Sequence, residues 1–112
     1  MLSLALIIFA VAALLGVYLL IHILNNKNTP KGVVIIHGSI AACGILLIII
    51  YSLRNQSPLA SLLVLILAAI GGFYMFWLDI TDRKLPKMLA VGHGVIALLG
   101  IALLVAFIFR NF

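Results

Sequence analysis

Residues 1–31 read MLSLALIIFAVAALLGVYLLIHILNNKNTPK, a mainly apolar run from Met1 to about Leu24 that halts at Asn25, Asn26, Lys27, Asn28, Thr29, Pro30 and Lys31. A helix rises about 1.5 Å per residue and a bilayer's hydrocarbon core is about 30 Å thick, so roughly 20 such residues cross it. The rest of the chain repeats this alternation. Arg54, Asn55, Gln56 and Ser57 end a second run, and Thr81, Asp82, Arg83 and Lys84 end a third. The predicted helices cover about 1–24, 32–53, 58–80 and 85–109, with Pro58 in the first turn of the third. The connections are short, which makes sequence neighbours antiparallel neighbours. The expected fold class is all-α: an integral membrane four-helix up-down bundle forming a single transmembrane domain over 1–112.

Composition agrees. Hydrophobic residues are 67% and charged residues 8% of 112 positions, and the mean hydropathy is +1.43. That excludes a soluble catalytic domain and confines any chemistry to the space between helices or to short loops. No nucleotide-binding loop, Ser/His/Asp set or paired-carboxylate site is present in the sequence. The net charge of +5 calls for no nucleic acid, since basic loops beside anionic headgroups account for it. Cys43 is the single cysteine, so no intrachain disulfide forms, and it reads as a packing residue.

A second pattern lies over the first. Residues 1–56 align with 57–112 without gaps: Ala12, Ala13, Gly16 and Tyr18 match Ala68, Ala69, Gly72 and Tyr74. Pro30, Lys31, His37, Gly38, Ala41 and Gly44 match Pro86, Lys87, His93, Gly94, Ala97 and Gly100, and Arg54-Asn55 matches Arg110-Asn111. Chance likeness between apolar segments would align Leu, Ile and Ala, not Pro-Lys, His-Gly, Tyr and Arg-Asn together. The chain reads as a two-fold internal repeat. The first run also lacks a basic leader and matches the third, so it is expected to be a retained helix rather than a signal peptide. Two crossings per half give both halves one orientation, related by an axis along the membrane normal. Lys27, Lys31, Arg83, Lys84 and Lys87 share one side against Arg54 and Arg110 on the other. The positive-inside rule then puts the first and third loops in the cytoplasm and both termini outside, in a bacterial inner membrane.

Ionisable groups inside spans are rare and costly, which singles out His37 and His93. Each stands seven residues after a proline and is followed by Ala at i+4 and Gly at i+7, one stripe at about 100° per residue. Two readings compete for the stripe. One is close helix packing, with small residues letting backbones approach and the histidine bonding across. The other is a haem, because two neutral imidazoles at equal depth across a two-fold axis can ligate one iron from opposite sides. Gly38 and Gly94, with Ala41, Ala97, Gly44 and Gly100 below, would then leave room for the macrocycle. The sequence reading favours haem. Zinc or copper is disfavoured, since only two matched nitrogen ligands are visible and Cys43 is off the stripe.

The two Pro-Lys-x5-His-Gly-x2-Ala-x2-Gly segments, Pro30 to Gly44 and Pro86 to Gly100, resemble the bacterial membrane-bound b-type cytochromes, in which four helices hold haem through histidines on facing helices. The resemblance implies His37 and His93 as axial ligands of haem b and electron transport as the activity, with a quinone, a quinol or a redox protein as partner. Propionates are expected toward Lys31, Arg83 and Lys87. Many of those proteins carry four histidines for two haems; here no second matched pair exists, so one subunit does not form a wire across the membrane.

Tyr18 and Tyr74 lie at about the depth of the paired histidines and are expected to orient the imidazoles or touch the cofactor, although tyrosine also belongs to the interfacial belt, with Phe73, Phe76 and Trp77. His22 and Asp79 break the repeat, opposite Leu78 and Ile23, and read as interfacial groups or a proton-linked site. Two alternatives stand beside the cytochrome. Four helices in this length also resemble the small multidrug-resistance exporters, but those rely on a glutamate in the first helix, which has no acid here. The other is an accessory subunit of a larger membrane complex, or a homodimer, whose histidines only pack helices.

Overall fold

Proline marks the start of three helices. Pro30 has an extended backbone (φ −68°, ψ 117°), and its carbonyl accepts the N–H of Val34 at 3.1 Å; Pro58 and Pro86 do the same for Leu62 and Ala90 at 2.9 and 3.1 Å. Proline has no N–H and disfavours helical geometry in the residue before it, so each chain segment turns just there. The computed structural model describes residues 1–111. It contains α1 (Leu2–Leu24), α2 (Lys31–Ser52), α3 (Leu59–Ile80) and α4 (Lys87–Asn111), with no strand among the described residues. Phe112, the last position of the second half, lies outside them. Pro58 sits just before α3 as its cap rather than in its first turn. Likewise α4 starts at Lys87, two residues after the expected Leu85, because Pro86 takes the capping place.

The two basic loops open with the same device. Asn26 and Asp82 adopt left-handed geometry, both with φ 57°. In each, the next N–H reaches back to close the last helical turn: Lys27 to the carbonyl of His22 and Arg83 to that of Leu78, both at 2.9 Å. This six-to-one closure satisfies carbonyls that the helix end leaves free, and Asn and Asp tolerate the conformation better than other non-glycine residues.

Each helix packs on two others: α1 on α2 and α4, α3 on α2 and α4, with no Cα of α2 within 8 Å of one in α4. The hairpins α1–α2 and α3–α4 are the closest pairs. As α2 runs from His37 to Gly44 it meets α1 residues descending from Gly16 to Phe9; α4 meets α3 the same way from His93 and Gly72 to Gly100 and Leu65. Both hairpins are therefore antiparallel. Burial follows the 56-residue spacing: Leu2 and Pro58, Ala5 and Ser61, Phe9 and Leu65, Ala12 and Ala68, Gly44 and Gly100, Ile48 and Leu104 are all buried. Leu2, Ala5, Phe9, Ile48, Leu65, Leu104 and Phe107 form the core at the end away from the basic loops.

The outer surface is apolar as well. Leu14, Phe73, Met88 and Phe109 are more than two-thirds exposed, a surface that in water would drive association but in lipid is matched to its solvent. All four helices are long and apolar enough to cross a membrane, and the molecule measures 43 × 19 × 19 Å, close to the full thickness of a bilayer with its headgroups. The chain has the build of an integral membrane protein.

Candidate functional site

His37 on α2 and His93 on α4 meet at the centre of the four helices, their ring centroids 6.3 Å apart and their planes at 83°. The backbones that carry them lie diagonally, too far apart to touch, so the imidazoles span the space between. Each ring is anchored through Nδ1, which lies 2.8 Å from a main-chain carbonyl of the neighbouring helix: Ala12 for His37 and Ala68 for His93. A carbonyl can only accept, so Nδ1–H donates. In the neutral ring Nε2 is then the unprotonated nitrogen, with its lone pair free. Main-chain anchoring of this kind fixes tautomer and ring orientation in metal-ligating histidines.

Glycine gives the rings their seats. A Cβ on Gly16 would stand 3.1 Å from Cε1 of His37, and one on Gly72 would stand 3.1 Å from Cε1 of His93. The imidazoles thus lie against bare helix backbone. Gly44 and Gly100, about two turns beyond the histidines, are filled from the neighbouring helix: a Cβ would come 2.7 Å from the Phe9 ring in one and 2.7 Å from the Leu65 side chain in the other. The room expected there for a macrocycle is occupied, and both glycines serve close packing. Ser61 adds a hydrogen bond from Oγ to the Gly100 carbonyl at 2.8 Å. At Gly38 and Gly94 an added Cβ would meet nothing within 4 Å, and Ala41 and Ala97 are partly buried beside them.

The tyrosines do not take the part expected of them. Tyr18 and Tyr74 are about half exposed on the outer face; the Tyr18 ring meets His22 edge-on at 4.6 Å, and Tyr74 stacks with Trp77 at 6.2 Å. The carbonyls of Ala12 and Ala68 orient the paired imidazoles instead. His22 turns Nδ1 back to the Tyr18 carbonyl in its own helix, at 2.9 Å. Cys43 is exposed rather than packed.

Asp79 proves to be a structural clasp. Its Oδ1 receives the Lys31 ammonium at 2.7 Å, and its Oδ2 accepts the buried Thr29 hydroxyl at 2.6 Å. Lys31 also donates to the Thr29 carbonyl at 3.2 Å. The carboxylate therefore ties the end of α3 to the α1–α2 loop, and Lys31 is committed to it. Arg83 lies over the Trp77 ring at 4.8 Å, and Lys87 is exposed at the start of α4. Replacing Asp79 with Ala should destabilise the protein by about 1–3 kcal/mol, since it leaves the Thr29 O–H without its acceptor and the Lys31 charge unpaired, although Lys31 still donates to Thr29 Oγ1 at 3.1 Å. Asp79→Asn, which keeps an acceptor, should cost about half as much. Denaturation in detergent micelles measures both, and equal losses would show that charge alone matters.

No three His, Cys, Asp or Glu side chains come together among the described residues, so His37 and His93 stand as a pair. Beside His93 a cleft of about 300 Å³ opens between α3 and α4, walled in part by Gly71 and Gly92; the matched positions in the first half are Leu15 and Ile36. Gly16, Gly72 and the two alanine carbonyls escape the sequence reading, which matches these positions between the halves but gives them no role. Their identity across the halves marks the glycines but does not say which ring lies against them. No family model matches the chain, and no curated protein or solved structure matches it either.

Proposed function

We propose that the protein is a membrane-embedded b-type haem protein, built as an up-down bundle of two repeated hairpins, that relays electrons through a bis-histidine site formed by His37 and His93. The observation that carries the reading is the 6.3 Å separation of two rings whose Nδ1 atoms are already bonded. Two imidazole nitrogens that shared one metal, each about 2 Å from it, would put the ring centroids at about this separation. The donor chemistry fits too: both Nε2 lone pairs are free, and no fully buried side-chain nitrogen or oxygen lacks a partner among the described residues, so neither Nε2 is sealed off in apolar packing.

Haem, when bound, supplies reversible one-electron chemistry. The chain's own residues do the rest. His37 and His93 would hold the group between them, which would favour electron transfer over oxygen binding, and the Ala12 and Ala68 carbonyls strengthen the imidazoles as donors by accepting from Nδ1. At Gly38 and Gly94 a Cβ would meet nothing within 4 Å, but Gly38 is exposed, so this open space is not room between the rings. Arg83 and Lys87 would attract propionates; Lys31 shares that end but is held by Asp79. A partner completes the path, either a quinone dissolved in the lipid or a redox protein, in a homodimer or a larger complex. The test is expression with ample haem supply followed by reduced-minus-oxidised spectra of the purified protein. Low-spin b-type bands are expected, whereas a colourless protein that resists reconstitution would reduce the histidines to staples between helices.

The same reading orients the protein in a bacterial inner membrane with both termini outside. A reporter fused after Phe112 should behave as extracytoplasmic, and one inserted between Asn25 and Lys31 as cytoplasmic. The opposite pair of results would invert the bundle and move the site to the outer leaflet.

A further inference from the structure

The charged end of the molecule holds a second concave surface, which shares Arg83 with the haem reading but has Lys27 and Lys84 free of it. A cleft of about 720 Å³ lies between the two basic loops, lined by Ile23, Asn26, Lys27, Lys31, Lys84 and Leu85 together with Asp79, Asp82 and Arg83. Both carboxylates of the chain are in its wall. One of them, Asp79, is neutralised by Lys31. Lys27 and Lys84 have no carboxylate within ion-pair distance among the described residues, so the cleft keeps an excess of positive charge. Its walls are set in place rather than loose. Asn26 and Asp82, each in left-handed geometry, fix the turns that precede Lys27 and Arg83; the Asp79 clasp joins the loops; and stacking on Trp77 holds the Arg83 guanidinium.

We propose that this cleft binds the phosphate headgroup of one anionic membrane phospholipid, clamped between Lys27 of the first loop and Lys84 of the third. Four observations favour a lipid over a soluble anion. The cleft lies at the end of four membrane-length helices, where headgroups are at high local concentration. Ile23 and Leu85 give it an apolar rim on which a glycerol backbone and the start of an acyl chain can rest. Trp77, the single tryptophan, sits at the same level, as interfacial aromatic residues do. And the charge is divided between the two hairpins, so that an occupant would bridge them as the Asp79–Lys31 pair already does.

The test is native mass spectrometry of the whole protein released from micelles that contain phosphatidylcholine and phosphatidylglycerol in equal amounts. One phosphatidylglycerol should be retained in preference to phosphatidylcholine. Lys27→Gln and Lys84→Gln should each weaken its retention about fivefold, the loss of one basic group near a headgroup. Lys87→Gln removes the same charge at the same end but outside the cleft, and should have little effect. Equal loss in Lys87→Gln would reduce the preference to general surface attraction and overturn the site. So would retention without headgroup preference, and displacement of the lipid by soluble glycerol phosphate would assign the cleft to a free phosphate instead. Retention is read whether or not the preparation contains haem, so the outcome is independent of the cytochrome reading.

Discussion

His37→Ala and His93→Ala should each abolish the low-spin haem signal completely, not halve it. The two imidazoles are 6.3 Å apart on different helices, so on the haem reading the loss of either would leave the group held by one residue, and no third His, Cys, Asp or Glu gathers there among the described residues to replace it. The variants should still fold. Each histidine contributes one hydrogen bond to a neighbouring helix, worth about 1 kcal/mol in a membrane interior, against a core that lies at the far end of the bundle. Gly16→Leu and Gly72→Leu provide a sharper probe, because they touch neither ligand chemistry nor charge. With even a Cβ only 3.1 Å from the imidazole, a leucine would push the ring off its carbonyl anchor, and haem should be lost although both histidines remain. Spectra that survive in both leucine variants would mean that the group is held by rings in other positions, free of the Ala12 and Ala68 carbonyls.

The four helices were legible because each span is a long apolar run closed by Asn, Lys, Arg or Pro. Their ends shifted by a residue or two where proline acts as cap rather than first helical residue, as at Pro58 and Pro86. The paired histidines were legible because the two halves match. Other features were hidden for physical reasons. A main-chain carbonyl such as that of Ala12 has no side-chain identity, so its role as imidazole anchor emerges only when α1 and α2 are packed. Gly44 and Gly38 look alike in the sequence, yet Gly44 is pressed against Phe9 and Gly38 faces open space. Helical periodicity distinguishes faces but does not say which neighbour fills them. The partnership of Asp79 with Lys31 and Thr29 spans about fifty residues and breaks the repeat, so neither spacing nor symmetry announces it.

Gly44 and Gly100 should be the least replaceable small residues of the chain, and the two should not be equal. At Gly44 an added methyl meets the edge of the Phe9 ring, with three ring carbons between 2.7 and 2.9 Å. Phe9 is itself buried in the core, so its ring can yield only by displacing its neighbours, at a cost of about 1–3 kcal/mol. At Gly100 the methyl meets Leu65 at both Cδ2 and Cγ, 2.7 Å away, and stands 3.4 Å from the Leu65 backbone nitrogen. A χ2 change leaves Cγ where it is, a χ1 change would swing the whole side chain of buried Leu65 into its neighbours, and the backbone nitrogen does not move, so α3 and α4 must separate, which also stretches the Ser61 hydrogen bond to the Gly100 carbonyl. Gly100→Ala should therefore be the more damaging by about 1 kcal/mol. Gly38→Ala and Gly94→Ala, where nothing lies within 4 Å, should leave stability within about 0.5 kcal/mol of the parent or raise it slightly, since alanine is the better helix former. Unfolding in mixed micelles with increasing denaturing detergent ranks the four variants. An order in which Gly38→Ala costs as much as Gly100→Ala would mean that small size matters along the whole stripe, for reasons other than the contacts with Phe9 and Leu65.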